Sequence, residues 1–128
     1  MRTFYNLPVS AAVAHDLVQI SLLGEALEAG PVAVFLADDD GRYIAVNAYA
    51  CDLLGYARDE VLALRVTDVA VNEGAVEEYG ALRRSTTSTG STTLRRKDGT
   101  ELQMRYRAGT TTVGGMALYI GICWPDEG

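Results

Sequence analysis

The first regular pattern of apolar residues in the chain has helical spacing. Val13, Leu17, Ile20, Leu23 and Leu27 recur at intervals of three and four, and Ser10 is placed to cap the start. Gly30-Pro31 follows directly and is typical of a helix end. The pattern predicts one amphipathic helix over residues 10–29.

A hairpin and several short helices are predicted next. The apolar run 32–37 ends at an acidic turn with glycine, residues 38–41, and residues 43–46 form the returning strand. Asn47 is placed to cap a short helix that ends at Gly55. Two further single turns are predicted, one over residues 58–62 and one that begins at Thr67 or Asp68, and a longer amphipathic helix begins at Asn72.

The clearest alternation of apolar and polar residues lies near the end of the chain. Leu102, Met104, Tyr106 and Ala108 alternate with Gln103, Arg105 and Arg107. A Ser/Thr-rich segment and Leu94 precede the Asp98-Gly99 hairpin signal, and residues 116–124 are apolar on both faces. The order of elements predicts an α+β fold, an antiparallel sheet with helices on one side.

Length and composition place the chain among single-domain globular proteins. It has 128 residues, of which 48% are hydrophobic and 22% charged. It lacks an apolar run long enough for a membrane span and a secretory signal pattern at its start. Two cysteines in a domain of this size are typical of reduced thiols, so we expect a cytoplasmic protein.

The charge is unevenly distributed. The net charge is −6, yet residues 83–107 hold seven basic and two acidic side chains. Such a run can attract phosphates, but on alternating strands it is better interpreted as the solvated face of a sheet. We therefore expect no nucleic-acid partner.

Several motifs, in this order and spacing, resemble those of the PAS domain family. They are Asp38-Asp39-Asp40-Gly41 before Tyr43-Ile44-Ala45-Val46-Asn47, then Leu54-Gly55-Tyr56-Ala57-Arg58-Asp59-Glu60-Val61-Leu62, then Arg96-Lys97-Asp98-Gly99-Thr100, and finally Tyr119-Ile120-Gly121-Ile122. The resemblance implies a five-stranded antiparallel sheet that wraps, with short helices, around a sensing cavity. It also implies an N-terminal helix at a dimer interface. We expect this helix over residues 1–30, the PAS domain over 31–124 and a tail over 125–128.

The resemblance also allows cofactors to be considered residue by residue. Flavin photoreceptors of the family carry a reactive cysteine where this chain has Val66, and flavin-binding amides where it has Leu94, Met104 and Cys123. Haem-binding members carry a histidine on the helix before the third strand, where this chain has none. Tyr79 is interpreted as a core aromatic, and His15, the only histidine, as a surface or interface residue. We expect neither flavin nor haem, and the cysteine spacing predicts no metal site.

An apolar ligand cavity is the remaining expectation. Residues expected to line it from the strands and helices are Phe35, Val66, Val69, Val76, Tyr79, Leu82, Leu94, Met104, Tyr106, Tyr119 and Cys123. Ala37 and Gly121 leave room, and a tyrosine hydroxyl is placed to orient a polar head group. The expected ligand is small and apolar or amphipathic, such as a fatty acid or a small aromatic molecule. The alternative is that these side chains simply fill the core.

The alternate residues of the last strand that point away from the expected cavity form an apolar stripe, which we expect another element to bury. Leu118, Ile120, Ile122 and Trp124 make up this stripe, and Val13, Leu17 and Ile20 of the first helix are expected to cover it in the same chain or in a homodimer partner.

Three functions follow in order of preference. The first is a non-catalytic sensor that signals to an effector domain or protein, and the second is a ligand-free interaction module. An enzyme is third, because the chain shows no phosphate-binding loop, nucleophile elbow or paired histidine, and we expect no catalytic residues.

Overall fold

The computed structural model describes residues 9–71 and 87–126, with side chains from residue 15 onward. The elements in chain order are α1 (Val9–Glu28), β1 (Ala33–Ala37), β2 (Tyr43–Val46), α2 (Ala48–Leu54), α3 (Arg58–Val61), α4 (Val66–Val69), β3 (Thr87–Arg95), β4 (Glu101–Val113) and β5 (Met116–Pro125). The predicted α+β class and element order are confirmed. The helix predicted from Asn72 lies outside the described residues.

The five strands form one antiparallel sheet in the order β2-β1-β5-β4-β3. β5 is therefore the central strand, with β1 on one side and β4 on the other. Gly121 of β5 lies opposite Phe35 of β1 and Ala108 of β4. The five-stranded sheet that the family resemblance implies is confirmed, and its register places the small residues Gly121 and Ala108 side by side near its centre.

Asn47 joins three elements at one point of the fold. Its Oδ1 accepts hydrogen bonds from the backbone N–H groups of Ala50 (3.1 Å) and Val34 (3.0 Å), so it caps α2 and holds β1. Its Nδ2 donates to the carbonyl oxygens of Val32, at 2.9 Å, and of Leu27 in the last turn of α1. All four hydrogen-bonding positions of this buried amide are used.

A second polar contact joins the same elements. The Glu28 carboxylate accepts from the backbone N–H of Ala48, at 2.6 Å, and forms an ion pair with Arg58. Arg58 Nε in turn donates to the carbonyl oxygen of Val46 at 3.2 Å. The end of α1 is therefore fixed to the domain through polar contacts.

The core lies between the inner face of the sheet and the short helices. β1 buries alternate residues, Ala33, Phe35 and Ala37, as the period of a strand requires. The largest fully buried side chains, Leu54, Val61, Val69 and Met104, belong to the three short helices and β4.

α1 does not pack over the sheet of its own chain in the described residues. Leu17, Ile20 and Leu23 are 60%, 65% and 66% exposed. Val18 and Leu22 are also exposed, so apolar side chains lie on several faces of the helix, which is less amphipathic than its spacing predicts. The side chain of Val13 lies outside the described residues. The cover of the β5 stripe, whether by the chain's own first helix or by that of a partner, stays a prediction.

Candidate functional site

A cavity of about 120 Å³ lies between the inner face of the sheet and α4. Its lining comes from all five strands, from Val66 of α4 and from Ala70 directly after α4. The lining residues are Phe35, Ala37, Tyr43, Val66, Ala70, Ser88, Thr92, Leu94, Tyr106, Ala108, Tyr119, Ile120, Gly121 and Cys123.

The residues expected in the cavity from the sequence fall into three groups. Those that border it are Phe35, Val66, Leu94, Tyr106, Tyr119 and Cys123. Val69 and Met104 are buried in the adjoining core and do not border the cavity. Val76, Tyr79 and Leu82 lie outside the described residues.

Sequence reasoning missed the polar part of the lining. Ser88 and Thr92 of β3 face the cavity, in the same parity as Leu94. Because side chains of a strand alternate between its faces, counting back from Leu94 by twos would have found both. Ile120 was expected on the outer face of the sheet, yet it also borders the cavity. This is consistent with the backbone of β5 forming the cavity wall beside Gly121, which has no side chain.

The polar wall is built around a pair of hydroxyl groups. The Ser88 Oγ and the Tyr106 hydroxyl oxygen lie 3.2 Å apart, and either can donate. Gly90 leaves room for the Tyr106 ring, since a Cβ there would make a tight contact of 3.3 Å with it. The ring of Tyr106 therefore lies against the glycine, with its hydroxyl beside Ser88.

The opposite wall is aromatic and aliphatic. The rings of Phe35 and Tyr43 have centroids 5.2 Å apart with planes tilted by 38°. A third phenol, that of Tyr119, donates to the Asp39 carboxylate at 3.3 Å and thereby contacts the turn between β1 and β2.

Gly121 leaves open space at the centre of the sheet. A Cβ added there would have no heavy atom within 4 Å, apart from atoms of Gly121 itself and of its two neighbours in the chain. The backbone φ is in the ordinary range. The cavity is therefore bounded at this point by backbone rather than by a side chain.

The two cysteines are buried and free. Burial alone raises the pKa of Cys123 to about 12, so the thiol is protonated at neutral pH and forms an apolar part of the wall. Burial also raises the pKa of Cys51, against the opposing effect of Arg58. The described residues contain no group of three or more His, Cys, Asp or Glu side chains arranged to hold a metal ion.

The outer face of the sheet combines arginines with an apolar row. Arg105 lies opposite Trp124, and Arg107 opposite Ile122, across β4 and β5. Trp124 is 36% exposed and Leu118 only 4%, so the stripe predicted on β5 is accessible mainly at its end near Trp124. No helix in the described part of the chain has the length and hydropathy of a membrane span.

A sequence profile of the PAS domain family matches residues 31–123, more than half of the chain. The chain belongs to the PAS domain family. A search of curated proteins gave no match.

Solved structures of PAS domains share the fold. The PAS domain of an HTR-like protein from Haloarcula marismortui has 22% identity and a TM-score of 0.76, with 91% of this chain and 99% of that chain covered. A domain of a sensory box sensor histidine kinase/response regulator from Geobacter sulfurreducens has 25% identity and a TM-score of 0.68, with 84% and 95% covered. The LOV domain of a blue-light activated histidine kinase from Erythrobacter litoralis has 22% identity and a TM-score of 0.65, with 75% and 96% covered.

Proposed function

We propose that this PAS domain is a non-catalytic sensor that binds a small apolar or amphipathic molecule in its cavity and signals through the packing of α1. The observation that carries the proposal is the unfilled, mostly apolar cavity, which remains open at Gly121 on the central strand. Close-packed cores rarely retain space of this size unless it is used. The sensor body would span residues 31–124, with the helix of residues 1–30 as its output element.

A route from the cavity to α1 supports the signalling part of the proposal. Phe35 borders the cavity, and the backbone N–H of its neighbour Val34 donates to Asn47. Asn47 also holds the carbonyl oxygen of Leu27 in the last turn of α1. A shift of β1 would therefore reach α1 through the Asn47 amide, provided that the ligand binds two arrangements with different affinity.

Charge and exposure support a homodimer as the signalling form. The described part of α1 carries exposed leucines with Asp16, Glu25 and Glu28, and it has no lysine or arginine. The outer face of the sheet offers Arg105 and Arg107 beside Trp124. We propose that α1 of a second copy covers this face. The leucines of α1 would then pack near Trp124, and its carboxylates would lie near the two arginines.

The chemistry of the cavity supports a binding rather than a catalytic role. Its described lining contains no carboxylate, histidine or lysine, and the pKa of the Cys123 thiol is raised away from the nucleophilic range. Downstream of binding, the partner would be an effector such as the kinase modules named in the similar structures. The two free thiols fit a reducing compartment such as the cytoplasm.

The second candidate is a ligand-free interaction module. The exposed apolar side chains of α1 favour it, because burying them between two copies can drive dimerisation without any ligand. The two candidates differ in what the cavity contains in the purified protein.

Native mass spectrometry of freshly purified protein, followed by denaturing extraction and an absorbance scan, tests the proposal. The sensor predicts a small molecule bound to the wild type and lost from Gly121→Leu, which fills the cavity. Thr89→Leu adds the same side chain to the exposed face of β3 and should retain the molecule. Bare protein masses with an unchanged dimer would favour the interaction module, and visible absorbance would indicate flavin or haem.

A further inference from the structure

We propose that the ligand of this cavity is an uncharged molecule of single-ring size that carries one hydroxyl or carbonyl oxygen, and that the Ser88–Tyr106 hydroxyl pair binds this oxygen. The inference rests on the proposed sensor function and narrows the class of ligand. The sequence and the family resemblance allow ligands as large as a fatty acid.

The hydroxyl pair has hydrogen-bonding capacity to spare. Two hydroxyls carry two donors, and the bond of 3.2 Å between Ser88 and Tyr106 uses one of them. The other donor and several lone pairs are available to a ligand. The pair can thus donate to a carbonyl oxygen or accept from a hydroxyl group.

The described lining offers no cationic partner to an anion. It contains no lysine, arginine or histidine, and its Tyr119 hydroxyl donates to the Asp39 carboxylate. A carboxylate buried without a cation loses its hydration and gains no partner, which is strongly unfavourable. A fatty-acid head group is therefore a poor fit, while a neutral oxygen is a good one.

The size of the cavity favours a small ring over a long chain. An apolar protein cavity of about 150 Å³ binds benzene, and the present cavity of about 120 Å³ is of that scale. Sites for drug-sized molecules start at about 300 Å³. A single ring with one or two small substituents is the matching size.

The shape of the lining favours a flat molecule. Phe35 and Tyr43 present two tilted rings to the cavity, across from the hydroxyl pair on β3 and β4. Aromatic rings contact one another favourably in offset and tilted arrangements. The ring of the ligand would contact these residues while its oxygen reaches Ser88 and Tyr106.

Three probes that share a methylated ring test the inference by calorimetry or ligand-observed NMR: toluene, p-cresol and p-toluate. We expect p-cresol and toluene to bind the wild type and p-toluate not to bind. Ser88→Ala and Tyr106→Phe should each weaken p-cresol by about three- to ten-fold, the value of one hydrogen bond, while toluene stays within about two-fold. Ser91→Ala removes the same group from the exposed face of β3 and should change neither affinity.

The outcomes separate this inference from the proposed function. If toluene binds and Gly121→Leu abolishes its binding, but Ser88→Ala leaves p-cresol unchanged, the cavity binds ligands and the assignment of the hydroxyl pair is wrong. Binding of p-toluate as tight as that of p-cresol would overturn the exclusion of anions. If neither neutral probe binds the ligand-free wild type, the inference fails, while a small molecule that is bound to the wild type and lost from Gly121→Leu in native mass spectrometry would still support the proposed sensor function.

Discussion

Gly121→Ala should stabilise the protein, although glycines in sheets are often required. Gly121 lies on the central strand with an ordinary φ, and a Cβ would meet no atom within 4 Å. The added methyl group therefore enters the cavity without a clash. The prediction depends directly on the cavity's being open.

The size of the effect follows from two contributions. Replacing glycine by alanine inside a strand gains about 0.5–1 kcal/mol, because the unfolded chain loses conformational freedom. Burying one methyl group adds about 0.8 kcal/mol. The free energy of unfolding should rise by about 1–2 kcal/mol, which corresponds to a Tm increase of roughly 4–8 °C for a domain of this size.

Gly115→Ala provides a matched control. A Cβ at Gly115 also meets no atom within 4 Å, but its φ is +82°, in the left-handed region. Alanine there should cost about 1–2 kcal/mol. Thermal and urea unfolding of both variants, refolded free of small molecules, give the comparison. A destabilised Gly121→Ala would show that the space is already filled and would refute the cavity.

Further variants test the other contacts. Asn47→Ala should lower the free energy of unfolding by about 3–4 kcal/mol in urea, because four hydrogen bonds worth about 1 kcal/mol each are lost; a loss below about 1 kcal/mol would contradict this. The hydrogen bond from Lys97 lowers the pKa of Glu60, so its contribution to stability is present above the unfolded pKa and fades as the pH falls through the folded one. NMR titration should show the pKa of Glu60 rising in Lys97→Met, and an unchanged value would show that the ion pair is absent in solution. Burial raises the pKa of Cys123 to about 12, so in Cys51→Ala, where Cys123 is the remaining thiol, it should resist thiol reagents at neutral pH. The free energy of unfolding should fall as the pH rises from 9 towards 12. Rapid labelling of the folded protein would show that the thiol is exposed.

Local signals explain why much of the fold could be predicted. The cap at Asn47 and the glycine at position 55, with φ of +78°, set the bounds of α2 through hydrogen bonds within a few residues. The alternation after Leu102 set the inner face of β4, because one face is buried and the other solvated. Such signals require no knowledge of distant contacts.

The cavity lining and the position of α1 depend on distant contacts and were harder to predict. Parity tells which face of a strand is buried, but it does not separate Met104, which fills the core, from Tyr106, which borders open space. The low-complexity composition of the segment before Leu94 concealed Ser88 as a cavity residue. The spacing of leucines in α1 predicts a helix but does not tell which surface the helix packs against. Leu17 and Ile20 are exposed, so the described part of the single chain does not supply that surface for them.

Hydrogen exchange of α1, measured with the cavity empty and saturated with p-cresol, tests whether occupancy of the cavity is transmitted to this helix. We expect saturation to change the exchange rates of amides in the last turn of α1 and in the strands around the cavity. Asn47→Asp, which loses both Nδ2 donors, should remove the effect on α1 alone. Changes confined to the strands, with α1 identical in both states, would contradict this expectation.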